Sequence, residues 1–380
     1  MEFGLTEEQE MIRSQAAEFL KNEYPIALVR ELMENEHGYN QDLWEKMTVM
    51  GWLGLIFPEE YGGSGLTFVE LTVLLEEMGR ALVPGTFFSA VLLAGLTLLE
   101  AASEEQKQCW LTPLAEGRLK ATLALTEPNG SWKAVGVSTV TAERGDGEYM
   151  ISGTKLFVPE AHVSDLIICA ARTSASSVLE EGISLFAIDR NSNGLNITPL
   201  QTMDQTRRVY EVSFERVRVP ANRALGGLGS AWPVIERVIN RATIGICAEM
   251  VGGAQKMLDM CVDYAKQRIQ FGRPIGSFQA IQHKCADMLL LIESARSAVY
   301  AAAWAASKDE QDTALLASVA KAYTSDAYRF VTGEGIQIHG GMGFTWEHDA
   351  HLYFKRAKAD EFNFGDANYH RARVAQFIGL

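Results

Sequence analysis

TAERGDGEYMISGTKLFV, residues 141–158, decides the architecture. Two alternating runs flank Gly145-Asp146-Gly147, the pattern of a hairpin whose tight turn needs the positive φ that glycine tolerates. A side-chain period of two means strands that bury one face. Outward from this hairpin the β pattern holds from about residue 119 to Pro220. SDLIICAAR (164–172) is a continuous apolar run suited to a buried strand, and GISLFAIDR and RRVYEVSFERVRVP follow it. Together they predict a small, mostly antiparallel β-domain, closed by Pro220 and Gly226-Gly227-Leu228-Gly229-Ser230.

On both sides the period lengthens to that of a helix. Thr6 with Gln9 fits a capping box, and Met11, Ile12, Ala16, Phe19 and Leu20 recur at helical spacing. Residues 52–57, followed by PEEYGGSG, read as a buried turn and a loop. Helices are expected over 68–80, 89–101 and 104–116. After the β-domain, 234–268 reads as one helix or two, followed by 278–308 and 312–339. Gly245, Gly252 and Gly253 are expected as close-packing points between helices, with a kink or a hinge as the alternatives. Segregated runs of helices and strands exclude a doubly wound α/β fold. The predicted fold class is α+β: an N-terminal helical domain (1–118), a middle antiparallel β-domain (119–228) and a C-terminal four-helix-bundle domain (229–380).

The chain has 380 residues, 47% hydrophobic and 22% charged, with a formal charge of -14. That composition is a soluble globular one, and its sign is wrong for a nucleic-acid surface. No apolar run is long enough to span a membrane. Cys109, Cys169, Cys247, Cys261 and Cys285 form no CxxC pair and are expected as reduced core residues of a cytoplasmic protein. The N-terminus shows no signal-peptide pattern.

Familiar catalytic motifs are missing. No GxGxxG follows a strand, and no GxxxxGK[ST] or GxSxG occurs. His348 and His351 are three apart but have no HExxH spacing or distant cysteine to make a metal site, so none is expected. The run Lys266-Gln267-Arg268-Ile269-Gln270-Phe271-Gly272-Arg273 reads equally as a helix C-cap or as a clamp for a pyrophosphate.

LTEEQEMIR, FPEEYGGSG, LTEPNGS, ISGTKLFV, RIQFGRPIGSFQAIQHKCADM and IQIHGGMGF stand in this order along the chain. In that order and spacing they resemble the acyl-CoA dehydrogenase family over essentially the whole length. The resemblance implies a helix–β–helix fold, a tetramer built as a dimer of dimers, and FAD at a subunit interface. It also implies dehydrogenation of an acyl-CoA thioester and electron-transfer flavoprotein, or a similar protein, as acceptor.

Matched position by position, the family's flavin-ring residues fall on Leu125, Thr126, Ser131, Phe157, Val158 and Pro159. The loop is one residue short, and Trp132 stands where the family has Asp. Arg268, Phe271 and Gln279 match the pyrophosphate and adenine contacts given to a neighbouring subunit, and Gln337, Gly340 and Gly341 match its second block. Asp366 and Asn368 fall on the cofactor contact near the C-terminus.

The catalytic Glu is the main departure. Its two family positions are Phe364 and Ala242 here, and neither side chain accepts a proton. Asp366 and Glu249 are the remaining candidates for a base, Glu249 lying two turns, roughly 10 Å, beyond Ala242. The departures fall on the half of the site that a subunit builds for itself. The expected function is therefore a base-lacking subunit of a heteromeric enzyme that completes a partner's FAD site. A self-sufficient homotetramer with a relocated base, a non-catalytic binding protein and a monooxygenase-like member of the fold are the alternatives.

Overall fold

The computed structural model describes residues 4–35 and 38–380. They form two compact units that cut across the order of the chain. The helical unit comprises the N-terminal stretch to Glu31, Thr67–Val83 and Asn240–Leu380; the sheet unit comprises Leu32–Leu66 and Pro84–Ile239.

The N-terminal region contains α1 (Glu7–Glu23), α2 (Ile26–Glu34), α3 (Gln41–Val49) and α4 (Phe68–Arg80). The expected capping box at Thr6 and Gln9 is formed, and Thr67 with Glu70 forms a second one on α4. Such boxes satisfy amides that a helix leaves free. The predicted helix 89–101 is wound wide over Phe88–Gly95 and tightens into α5 (Leu96–Ala101). The predicted helix 104–116 is α6 (Glu104–Gln106), another wide stretch at Lys107–Leu111, and α7 (Thr112–Ala115).

In the helical unit, α4 crosses α8 (Trp232–Gln267), a single helix of 36 residues. Two glycines bring the backbones into contact. A Cβ on Gly79 would lie 2.0 Å from the Glu249 carbonyl, and one on Gly252 would lie 1.8 Å from the Glu76 carbonyl. Gly252 is therefore a close-packing point, as expected, and a Cβ on Gly253 would lie 2.2 Å from the Tyr328 hydroxyl. Around this crossing Arg296 donates to Glu76 (3.0 Å) and Gln255 (3.0 Å), and the Tyr300 hydroxyl donates to Glu76 (3.1 Å).

The sheet unit holds β1 (Ala121–Ala124), β2 (Thr141–Arg144), β3 (Glu148–Pro159), β4 (Leu166–Arg172), β5 (Ile183–Asp189), β6 (Leu195–Pro199), β7 (Val209–Pro220) and β8 (Ala224–Leu225). Their order is β6-β7-β3-β2-β4-β5-β8, with β1 beside β4. Pairing is antiparallel except for β1 and β2 with β4. The hairpin of the opening stretch is present, with Thr141 opposite Ser152 and Arg144 opposite Tyr149. Inward residues Val140, Tyr149, Ile151, Phe186, Val212 and Phe214 fill one core.

The C-terminal helices are α9 (Gln279–Ser307), α10 (Thr313–His339), α11 (Ala350–Phe362) and α12 (Ala367–Phe377), and the short pair β9 (Ile269–Gln270) and β10 (Arg273–Pro274) follows α8. All five cysteines are free, but only Cys169, Cys247 and Cys261 are buried; Cys109 is exposed. Among the described residues no helix is long and apolar enough to cross a membrane.

The α4–α8 crossing gives a direct test. Gly252→Ala should lower stability by at least about 1–3 kcal/mol, read as a fall in the midpoint of chemical unfolding, because the Cβ meets backbone that cannot step aside.

Candidate functional site

The sheet unit builds its part of the site around one buried ion pair. Lys155 on β3 and Glu127 on the loop after β1 are both fully buried, 2.9 Å apart. The Lys155 ammonium also donates to the Leu125 carbonyl at 2.9 Å. Glu127 accepts the amides of Ser138 (3.0 Å), Thr139 (2.7 Å) and Val140 (3.3 Å) and the Thr139 hydroxyl (2.8 Å). Burial works to raise its pKa, but the Lys155 charge and these amides outweigh it and hold the carboxyl at about 2. The Leu156 amide donates to the Thr126 carbonyl at 2.8 Å. Leu125 and Thr126 are thereby fixed against the strand that carries Phe157, Val158 and Pro159.

Phe157 is 52% exposed with φ +54°, while Val158 is buried. Pro159 has no amide to offer, and its carbonyl accepts the Thr122 hydroxyl at 2.7 Å. Ser131 lies in a turn in which its amide donates to Asn129 Oδ1 (2.9 Å) and its hydroxyl oxygen accepts from the Lys133 amide (3.2 Å). This edge offers a flavin ring few donors beyond the loop backbone.

In the helical unit, the residues matched to the other half of the cofactor lie at the surface. Arg268 follows α8, is exposed and makes no ion pair among the described residues. Phe271, on the β9–β10 turn, is 92% exposed with φ +55°. Gln279 opens α9, and Gln337 lies exposed in the last turn of α10. Side chains added at Gly340 and Gly341 would meet nothing within 4 Å, so that backbone is open to an incoming group. A guanidinium without an ion pair, open backbone amides and an exposed ring are compatible with a dinucleotide pyrophosphate and its adenine, the groups FAD carries.

The two positions matched to a base in the sequence, 364 and 242, hold no carboxylate. Phe364 is nearly buried and takes φ +61°, followed by Gly365 at φ +103°. Buried Lys321 holds this turn by donating to the carbonyls of Asp360 (2.9 Å), Glu361 (3.0 Å) and Gly365 (3.1 Å) and to the Ser325 hydroxyl (3.1 Å). His370 Nε2 donates to the Phe364 carbonyl at 3.0 Å. Burial and the nearby Lys321 charge push the His370 pKa down to about 3, so the ring stays neutral.

Asp366 caps α12, with its carboxylate accepting the Tyr369 amide at 2.7 Å. Asn368 accepts from Arg371 at 3.3 Å. Ala242 is fully buried, and Glu249 is buried on α8 at the Gly79 contact. His348 and Asp349 lead into α11, where Asp349 pairs with Arg30 at 2.8 Å; no cluster suited to a metal occurs among the described residues.

One buried acid was not singled out in the sequence. Glu160 follows Pro159 at the end of β3, is 1% exposed and has φ +52°. Burial pushes its carboxyl up to about 7, against the lowering effect of the Arg208 amide and the Arg207 and Arg208 charges. Its only sequence signal is an acid beside a proline, which is unremarkable on a surface strand end.

Two measurements follow from these groups. Lys321→Met should cost at least about 1–3 kcal/mol in unfolding free energy, because buried carbonyls lose their donor. Glu160 has a folded pKa above its ordinary 4.5, so the folded state binds the extra proton. Its contribution is present below pH 4.5 and is lost as pH rises through about 7. The melting temperature of Glu160→Gln should therefore rise relative to the parent chain between pH 5 and pH 8.

Sequence-family models for the acyl-CoA dehydrogenase N-terminal, middle and C-terminal domains match residues 6–118, 122–217 and 229–379. The probable acyl-CoA dehydrogenase YngJ of Bacillus subtilis is 36% identical over 380 residues, 99% of each chain. The structure of butyryl-CoA dehydrogenase from Megasphaera elsdenii superposes with a TM-score of 0.92 at 29% identity, covering all of both chains. A chain of the ChsE4-ChsE5 complex from Mycobacterium tuberculosis gives 0.90 at 27%, covering 100% of this chain and 99% of that one. With its three domain signatures in order along nearly its whole length, the chain belongs to the acyl-CoA dehydrogenase family, oxidoreductases that act on CH–CH groups.

Proposed function

We propose that this chain takes part in FAD-dependent α,β-dehydrogenation of an acyl-CoA thioester as the base-lacking member of a heteromeric enzyme, completing its partner's FAD site. The observation that carries this reading is the contrast at the candidate site. Positions 364 and 242 hold Phe and Ala, both buried, while Arg268, Phe271, Gln337, Gly340 and Gly341 stand exposed. A related chain solved within a two-protein complex, ChsE4-ChsE5, supports a heteromer.

Bound FAD would supply the acceptor for the substrate's β-hydrogen as hydride, and a carboxylate would take the α-proton, leaving the enoyl thioester. On this reading Arg268 neutralises pyrophosphate oxygens, Phe271 and Gln279 hold the adenosine end, and Gln337, Gly340 and Gly341 give backbone approach. Leu125, Thr126, Ser131 and residues 157–159 form this chain's own wall beside a flavin ring. Asp366 and Asn368, matched to a cofactor contact, already make hydrogen bonds within the chain.

The partner supplies the base, and an electron-transfer flavoprotein or similar protein removes the electrons. Five free cysteines fit a cytoplasmic setting. The homotetrameric reading has less support, since its candidate bases are a helix cap, Asp366, and a buried helix residue, Glu249.

A positioned base contributes on the order of 10²–10⁴ in rate. The chain purified alone should therefore turn over butyryl-CoA at least about 100-fold more slowly than the complex obtained by co-expression with a Glu-bearing homologue. Full activity of the isolated chain would reject the reading. Arg268→Met should weaken flavin binding by the complex about tenfold or more, followed by flavin absorbance after gel filtration. A complex that never carries flavin would point instead to a non-catalytic binding protein.

A further inference from the structure

Buried polar atoms without partners collect at one place in the sheet unit. Glu160 Oε2 and Thr86 Oγ1 are both buried and make no hydrogen bond among the described residues. The two side chains belong to segments in direct contact: the Gly85 amide donates to the Glu160 carboxyl, and a Cβ on Gly85 would lie 2.8 Å from Glu160 Oε1. A further contact comes from the residue before β7, where the Arg208 amide donates to Oε1 at 3.3 Å and the Glu160 amide returns to the Arg208 carbonyl at 3.1 Å.

Leaving a buried acceptor and a buried hydroxyl unsatisfied costs about 1–3 kcal/mol each. Glu160 also holds a left-handed backbone conformation that a non-glycine residue adopts at a cost. Such a pair calls for an explanation, and a partner from outside the chain, a water or a ligand group, is one.

The surroundings select the chemistry of that group. The carboxyl repels an anion. The guanidinium groups of Arg207 and Arg208 act on the same carboxyl and repel a cation. Tyr210 is buried beside them, with the His162 ring stacked on it at 4.5 Å. Arg207 lies over the Phe88 ring at 5.4 Å. What remains is a neutral group able both to donate and to accept, a hydroxyl or a water. The strand that ends at Glu160 carries residues 157–159, assigned above to the flavin ring, and the acyl group is the part of the substrate that reacts there.

We propose that Glu160 and Thr86 recognise a hydroxyl on the acyl part of the substrate, so that the chain takes hydroxyl-bearing acyl-CoA thioesters. The proposal rests on the acyl-CoA reading but not on the source of the base, because binding rather than turnover is measured. The Glu160 carboxyl accepts the substrate O–H, and the Thr86 hydroxyl donates to the same oxygen. A plain alkyl chain would bury both unpaired, which is the situation in which an enzyme discriminates most strongly against the missing hydroxyl.

The test is calorimetric titration of the chain, together with its flavin and partner where these co-purify. The probes are butyryl-CoA, 4-hydroxybutyryl-CoA, hexanoyl-CoA, 6-hydroxyhexanoyl-CoA and glutaryl-CoA. At least one hydroxyacyl thioester should bind roughly tenfold or more tightly than its parent, and glutaryl-CoA more weakly than either. Glu160→Leu should abolish the preference while leaving the parent thioester bound as well or better. Thr86→Val, a near-isosteric change, should reduce it, and Glu160→Gln should keep part of it. If Glu160→Leu does not fold, Thr86→Val decides. Equal binding of hydroxylated and plain thioesters, or a preference that survives both Glu160→Leu and Thr86→Val, would overturn the proposal and leave the pair as a site for water. Failure to bind any acyl-CoA would reject the acyl-CoA reading and this proposal with it.

Discussion

The buried pair of Lys155 and Glu127 is the constraint on which the sheet unit turns. Two charges taken out of water cost several kcal/mol each unless every lone pair and proton finds a partner. Here the ammonium donates to Glu127 and to the Leu125 carbonyl, and the carboxylate collects amides from Ser138, Thr139 and Val140. Glu127 thereby ties the start of the loop after β1 both to strand β3, through Lys155, and to the loop's far end at residues 138–140. With the loop fixed, Thr126 and Phe157 have one relative placement, which is the requirement for a surface that orients a planar ring.

The helical unit solves the corresponding problem differently. Gly79 and Gly252 let two helix backbones touch, and a polar layer of Glu76, Gln255, Arg296 and Tyr300 closes beside the contact. Further along, Lys321 and His370 spend their hydrogen bonds on backbone carbonyls of the 360–365 turn. That turn still holds two consecutive residues at positive φ, the second a glycine against the Tyr369 ring. The turn is therefore held in one conformation, with the Phe364 side chain packed inward.

Local signals made much of the fold legible. The hairpin at Gly145–Gly147 sits between β2 and β3, the Thr6 capping box is formed, and β4 and β5 fall on the two apolar runs read as strands. Each depends on chemistry within a few residues: alternation, a side chain reaching a nearby amide, glycine in a turn. The candidate site was legible only as positions matched to a family pattern. Spacing placed Asp366 two residues beyond Phe364 as a possible base, but only the folded chain shows its carboxylate bound to the Tyr369 amide. Cys109 looked like a core residue because its neighbours are apolar, yet it faces outward.

By itself the sequence determined the succession of helices, strands and helices, and the absence of a carboxylate at positions 364 and 242, because periodicity and residue identity are written along the chain. Tertiary structure alone decided that α8 runs unbroken, that the compact units mix segments distant in the chain, and that Glu160 is a buried acid rather than a surface one. The physical reason is desolvation. A carboxyl carries no mark of burial in its own sequence, and its proton affinity is set by segments such as Gly85 and Arg208 that only folding brings to it.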